Sequence, residues 1–160
     1  MDEADLTPPT LACSSILLRL ASRDDHISKK THKFTVAAFL LRKGNANRPR
    51  ETTLSLIIKD ACTLYEAFTT ILTNKVYGMG TLHRGKILDL NLVEEVSRLG
   101  ITLEVEGEIK PDDLRPIYAC IKNLPHPDTD PDAANFIASL LVDQIRRIPE
   151  ADILATREVA

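Results

Sequence analysis

Over residues 132–148 the apolar side chains Ala133, Phe136, Ile137, Leu140, Leu141, Ile145 and Ile148 recur at helical spacing. They form one stripe of an α-helix and leave Asp143, Gln144, Arg146 and Arg147 to cover the rest. Asp132 stands where a side-chain oxygen caps the first turn, and Pro149 interrupts the far end. Residues 124–132, with three prolines in nine positions, read as an extended loop feeding this helix. A helix with a single apolar stripe needs a second layer to cover it. The rest of the chain must supply that layer.

Most of the remaining periodic segments read as strands. Residues 13–21 and 33–43 are apolar, and the second is rich in β-branched and aromatic residues. Both suit strands buried on both faces, with helix as the alternative for each. Gly44-Asn45-Ala46-Asn47-Arg48-Pro49 is a turn signal between residues 33–43 and a third strand over residues 51–59, so a hairpin is expected around residues 44–50. Residues 101–106 alternate cleanly, with Ile101, Leu103 and Val105 facing a core. Residues 86–92 put Leu88, Leu90 and Leu92 on one face of a further strand. Thr63 and Glu66 have the spacing of a capping box, with Asp60 as a rival cap. After it Leu64, Ala67, Phe68, Ile71 and Leu72 give a helical stripe, which Gly78 and Gly80 end. A short helix over residues 93–99 is closed by Gly100 in a left-handed cap. In residues 112–123 a helix starting near Asp113 accommodates Pro116 in its first turn. Strands and helices mixed without strict alternation make this an α+β chain, a mostly antiparallel sheet packed with a few helices that include the amphipathic one near the C-terminus.

The 160 residues suit one domain over residues 11–150, between a flexible acidic arm at residues 1–10 and a tail at 151–160. No apolar run approaches the roughly 20 residues of a membrane span. The acidic start, with Asp2, Glu3 and Asp5, is unlike an export signal, so the protein is expected inside the cell that makes it, and not secreted. Cys13, Cys62 and Cys120 are widely spaced and odd in number, which reads as buried thiols. The absence of Trp leaves little for base stacking.

No motif marks a catalytic centre, a metal site or a cofactor. Asp128, Asp130 and Asp132 begin like a calcium loop, but Ala133 and Ser139 stand where that loop needs Gly and a bidentate acid. Gly78, Gly80 and Gly85 lack a following Lys-Ser or Lys-Thr pair, and a turn between helix and strand accounts for them. His26, His32, His83 and His126 are not at ligand spacing and read as solvated. Ser14-Ser15 lacks a nucleophile elbow. A triad assembled from distant residues keeps a small enzyme as one alternative.

Charge is the informative feature. Residues 26–50 hold Lys29, Lys30, Lys33, Arg42, Lys43, Arg48 and Arg50 and no acid, which predicts a docking face for phosphate, anionic lipid or an acidic protein. Farther on, Glu104, Glu106, Glu108, Asp112, Asp113, Asp128, Asp130 and Asp132 outnumber the nearby bases. Residues 1–88 carry a net charge of +5 and residues 89–160 one of −8. The two sets could meet within one molecule or between copies. The second arrangement makes a head-to-tail contact that propagates.

Phe34-Thr35-Val36, Asn47-Arg48-Pro49, Tyr77-Gly78-Met79 and Lys86-Ile87-Leu88 occur in this order. In that order the chain resembles rhabdovirus matrix proteins, in which a Phe-Thr-Val strand, an Asn-Arg-Pro turn, a helix, a Tyr-x-Gly-Met turn and a Lys-Ile-Leu strand follow one another. The resemblance covers about a third of the chain, whose size fits the plant-infecting branch. It implies a non-enzymatic viral structural adaptor, present in the host cytoplasm or nucleus and in the virion. Such a protein self-associates, binds the nucleocapsid, and makes weak RNA or anionic-lipid contacts without a transmembrane segment. The arm here is acidic where many members are basic, and Pro8-Pro9-Thr10-Leu11 lacks the Tyr of a Pro-Pro-x-Tyr motif. A cellular adaptor or complex subunit is the rival reading.

Overall fold

The computed structural model describes residues 7–69 and 75–158. Its first strand, β1 (Ile16–Ala21), is apolar on both faces and therefore sits inside a sheet, with Leu17 and Ala21 in one core and Leu18 and Leu20 in the other. It is joined by β2 (Leu54–Ile58), β3 (Gly78–His83), β4 (Glu104–Lys110), β5 (Asp113–Lys122) and β6 (Arg146–Arg147). All pairings are antiparallel, in the order β4-β5-β2-β1-β3-β6. With α1 (Leu64–Thr69), α2 (Arg84–Asp89), α3 (Glu94–Arg98), α4 (Pro131–Gln144) and α5 (Glu150–Ala155), this is an α+β fold. No helix among the described residues is long and apolar enough to cross a membrane.

The two faces are covered differently. On the first, Leu17, Leu54, Leu56, Leu82, Val105 and Ile121 meet Ile87 of α2, Ile137 and Leu141 of α4, and the 3-10 turn Val36–Phe39. On the second, Leu18, Leu20, Ile57 and Met79 meet Ala67 of α1 and Ile153 of α5. Toward β4 that second face turns polar. There the register aligns Glu104 with Lys122, Glu106 with Cys120 and Ser55 with Cys120.

The strands expected at residues 13–21 and 51–59 are present within those bounds as β1 and β2; the one expected at 101–106 starts only at Glu104 and runs on to Lys110 as β4, with Leu103 and Val105 buried and Glu104 and Glu106 exposed. The capping box forms: the Glu66 amide donates to Thr63 Oγ1 at 3.1 Å, and the Thr63 amide donates to Glu66 Oε1. Asp60 lies in a separate 3-10 turn. Ala67 is buried as the stripe requires, while Ile71 and Leu72 lie outside the described residues. Gly100 has φ +71° after α3.

Other expectations are corrected. Residues 33–43 are no strand, because β1 and β5 already occupy both edges of β2, the expected hairpin partner. Phe34 instead bridges to Ile27, and Ala38, Phe39 and Leu41 are buried in and beyond the 3-10 turn. Around residues 44–50 the chain does reverse, with Asn45 N–H donating to the Arg48 carbonyl and Glu51 N–H to that of Arg42, but no strands flank the turn. Residues 86–92 are helical. Ile87 and Leu90 are buried three apart while Leu92 is 84% exposed, so the period is not two. The helix expected from Asp113 is strand β5, whose residues Ile117–Ile121 are all buried. Pro116 is tolerated there because it lies beyond the β2 pairing and beside the register shift between Glu108 and Lys110, where it owes no ladder bond. The Phe-Thr-Val and Lys-Ile-Leu strands that the family resemblance implies fall within two of these corrected segments.

The amphipathic helix runs over Pro131–Gln144, not 132–148. Asp130, rather than Asp132, caps it by accepting from Ala133 N–H at 3.1 Å, with Pro131 opening the first turn. Ile137 and Leu141 are fully buried, and Phe136 and Leu140 only half so. Residues 151–160, expected as a tail, begin inside α5. Thr156 Oγ1 there accepts from Tyr65 N–H at 2.8 Å and ties this end to α1. Of the expected arm, residues 7–10 are described, and Pro9 lies against Gly107; residues 1–6 are outside the described set.

Candidate functional site

Gly78 and Gly80 do not end a helix; they are inside β3. A Cβ on Gly80 would come within 2.6 Å of Ile145 Cγ1 and 3.0 Å of Phe34 Cε2. One on Gly78 would approach Arg147 Nε at 3.3 Å and Ile27 Cδ1 at 3.2 Å. The missing side chains thus seat the segment that follows α4, and β6 can pair at Gly80 and Thr81.

From that seat the Arg147 guanidinium donates to the His32 carbonyl at 2.6 Å and to the Tyr77 carbonyl at 3.4 Å. His32 belongs to a tight turn closed by Ser28 N–H donating to the Lys33 carbonyl and by His32 N–H donating to that of Ser28. Its φ of +60° is the strained corner of that turn. Lys29, Lys30 and Lys33 are exposed on this turn, Arg146 and Arg147 are exposed on β6, and Lys75 Nζ lies 4.9 Å from the Tyr77 ring centroid. These six cations and one aromatic ring form a basic rim at the β6 end of the sheet. Asp24 and Asp25 sit beside Lys29 around a shallow recess, and Asp25 is drawn to Arg23 at 3.5 Å.

The other predicted bases are elsewhere. Arg42, Lys43, Arg48 and Arg50 lie on the loop after the buried 3-10 turn, so residues 26–50 make two separate basic loops. In the second, Arg42 Nη1 donates to the Pro49 carbonyl at 3.1 Å, and Lys43 meets Asp128 at 3.6 Å. His126 is buried, 5% exposed; its Nε2–H donates to the Arg42 carbonyl at 3.2 Å while Nδ1 accepts from Asp128 N–H. Here the basic and acidic segments meet within one molecule.

The eight acids are likewise divided. Glu104, Glu106 and Glu108 share one side of β4, with Lys122 2.6 Å from Glu106 and Lys110 4.0 Å from Glu108. Asp112 and Asp113 mark the β4–β5 turn. Arg115 and the Tyr118 hydroxyl donate to Asp113, and the Arg115 guanidinium chiefly holds that carboxyl well below the usual range. Burial and the same carboxylate push the Tyr118 hydroxyl up to about 12. Asp128, Asp130 and Asp132 are at the entry of α4, where Asp130 serves as the cap.

Two histidines expected in solvent are buried, His26 and His126. Beside half-buried Arg19, His26 is pushed down to about 4, first by burial and then by that guanidinium, and its Nδ1 has no partner among the described residues. The Cys13 thiol is exposed, contrary to expectation, Cys62 is half-buried, and Cys120 is buried, with burial raising its pKa to about 11. No group of three potential metal ligands converges among the described residues.

The sequence reading missed one convergence: Lys110 Nζ reaches across β5 to donate to Ser55 Oγ at 2.7 Å, passing 5.2 Å from the Tyr118 ring centroid. The same ammonium stands 4.0 Å from the Glu108 carboxylate, so the contact ties β2 to β4 across β5. Compared with known proteins, the chain matches no family model, no curated protein and no solved structure.

Proposed function

We propose that this protein is a non-enzymatic structural adaptor that docks an anionic ribonucleoprotein on its basic rim and self-associates. The matrix-protein role implied by the short motifs is the most specific form of this reading. In that form the protein works in the host cytoplasm or nucleus and in the virion. The observation that carries the proposal is the rim itself, where a turn bearing Lys29, Lys30 and Lys33 is pinned by Arg147 to an edge strand of two arginines. Neither Arg146 nor these lysines has an ion-pair partner among the described residues. Unpaired cations on a fixed backbone suit phosphate contact, and a single exposed tyrosine limits stacking.

The test is binding of a single-stranded RNA oligonucleotide as salt is varied. Four phosphate contacts give a log-log slope of about −3, and Lys29→Gln, Lys30→Gln, Lys33→Gln and Arg146→Gln together should remove most of it. Arg48→Gln with Arg50→Gln, on the other basic loop, should change it far less. A slope unaltered by the four rim substitutions overturns the rim as the docking site. Vesicles with and without anionic lipid form a second arm; tight lipid binding without RNA binding would replace the nucleocapsid with a membrane surface. A cellular adaptor with the same rim would behave alike in vitro, and the neighbouring genes tell the two apart.

A further inference from the structure

We propose that copies of this chain join head to tail, with Tyr77, flanked by Lys75 and Arg147, entering a groove between α3 and the start of α4 on the next copy. This rests on the self-association part of the reading above and assigns its surfaces. Leu99, 42% exposed, with Ala133 and Phe136 lines a groove of about 250 Å³ that is also bordered by Glu95 and Asp132. Both carboxylates are exposed, and neither has an ion-pair partner among the described residues. An apolar floor between two free acids selects an apolar side chain flanked by cations.

The same molecule carries such a group. Tyr77 is 37% exposed, with Lys75 against its ring and Arg147 on its carbonyl, and its own N–H is fixed to the Ala21 carbonyl at 2.7 Å. A tyrosine anchors an interface well because its ring is large and rigid and its hydroxyl finds a polar partner at the rim. Groove and anchor lie at opposite ends of α4: Asp132 and Phe136 are in its first turns, Arg146 and Arg147 just beyond its last. Fourteen residues of helix separate them by about 20 Å. Tyr77, fixed to β1, cannot reach the groove of its own molecule. The contact is therefore heterologous and repeats along the chain of copies.

Sedimentation velocity of the full chain at low salt, over a range of concentrations, tests this. Wild type should sediment faster as concentration rises. A groove variant, Glu95→Lys with Asp132→Lys, and an anchor variant, Tyr77→Ala with Lys75→Glu, should each associate about tenfold or more weakly. The decisive sample is their mixture. The groove variant keeps a working anchor and the anchor variant a working groove, so together they should form a dimer that does not grow. Circular dichroism of each variant confirms that its fold is retained. Wild-type assembly that neither variant weakens, or a mixture that stays monomeric, overturns the assigned surfaces while leaving self-association in place. A wild-type monomer at every concentration overturns self-association as well, and RNA binding then decides the docking role independently.

Discussion

The two outer strands of the sheet solve the same problem in opposite ways. At β4 the unpaired edge is closed from within: Asn91 donates to the Leu103 carbonyl at 3.0 Å and accepts from its N–H at 2.7 Å, and Arg84 donates to the Val105 carbonyl at 2.8 Å. Pro9 covers Gly107, and two of the three glutamates on the strand are paired with lysines. At β6 the edge is only two residues long, and its arginines face outward with the lysine turn beside them. One edge spends its polar groups on the fold. The other leaves charge unpaired, and shortness and charge are also what keep an open edge from pairing indiscriminately. Charge alone therefore does not tell the two edges apart; whether the charge has an internal partner does.

Acid should break the comparison most strongly, and on the β6 side. His26 adjoins the lysine turn and is buried, with its pKa lowered to about 4 from an ordinary value near 6.5. As pH falls through 6.5 the unfolded chain takes up a proton that the folded chain refuses until about 4. This contribution to stability is complete above 6.5 and lost between 6.5 and 4, by about 3 kcal/mol for a shift of that size. Urea melts from pH 7 to 4.5 should show it, and His26→Gln should flatten the profile.

Next in size is Gly107→Ala. Its Cβ would stand 1.9 Å from the Pro9 carbonyl oxygen, so residues 7–11 must lift and Leu11 must leave the core, at a cost of about 1 to 3 kcal/mol. Protection of that segment from proteolysis should fall with it. Asn91→Ala removes two bonds from the closed edge and should cost about 2 kcal/mol in a urea melt. Lys30→Gln with Arg146→Gln should sit at the bottom of the scale, within about 0.5 kcal/mol of wild type, because exposed charges without partners add little to folding. Measurable destabilisation by that last pair would mean that the rim, too, is committed to the fold.

The same contrast explains what could be read from residue order. The alternation of Leu103 and Val105 is a local signal, and it led directly to β4. Strand β6 has no pattern of its own, because its two residues pair only where Gly78 and Gly80 leave room for Ile145 and Arg147. As a stripe argument Arg146 and Arg147 belong to the wet side of a helix, and only Ile145, with extended backbone, takes them out of it. The lysines were visible as a charge run, whereas their union with β6 depends on a contact between residues 115 apart in sequence. For β5 a proline favoured the wrong element, since its tolerance depends on where β2 ends. Burial of His26 and His126 was equally hidden, because both occur among polar neighbours in sequence.

The strand order also bears on how fast the molecule acquires its shape. Among the sheet pairings, β4 with β5 is a local hairpin, whereas Leu17 meets Ile58, Leu54 meets Ile121 and Thr81 meets Arg146 across long stretches of chain. Each of those closures costs loop entropy before it returns any contact. Folding should therefore begin at the β4–β5 hairpin and finish in milliseconds to seconds rather than microseconds. The β6 end would be the last part of the sheet to form, so a chain still emerging from the ribosome would have no basic rim until residues 145–147 had docked on β3.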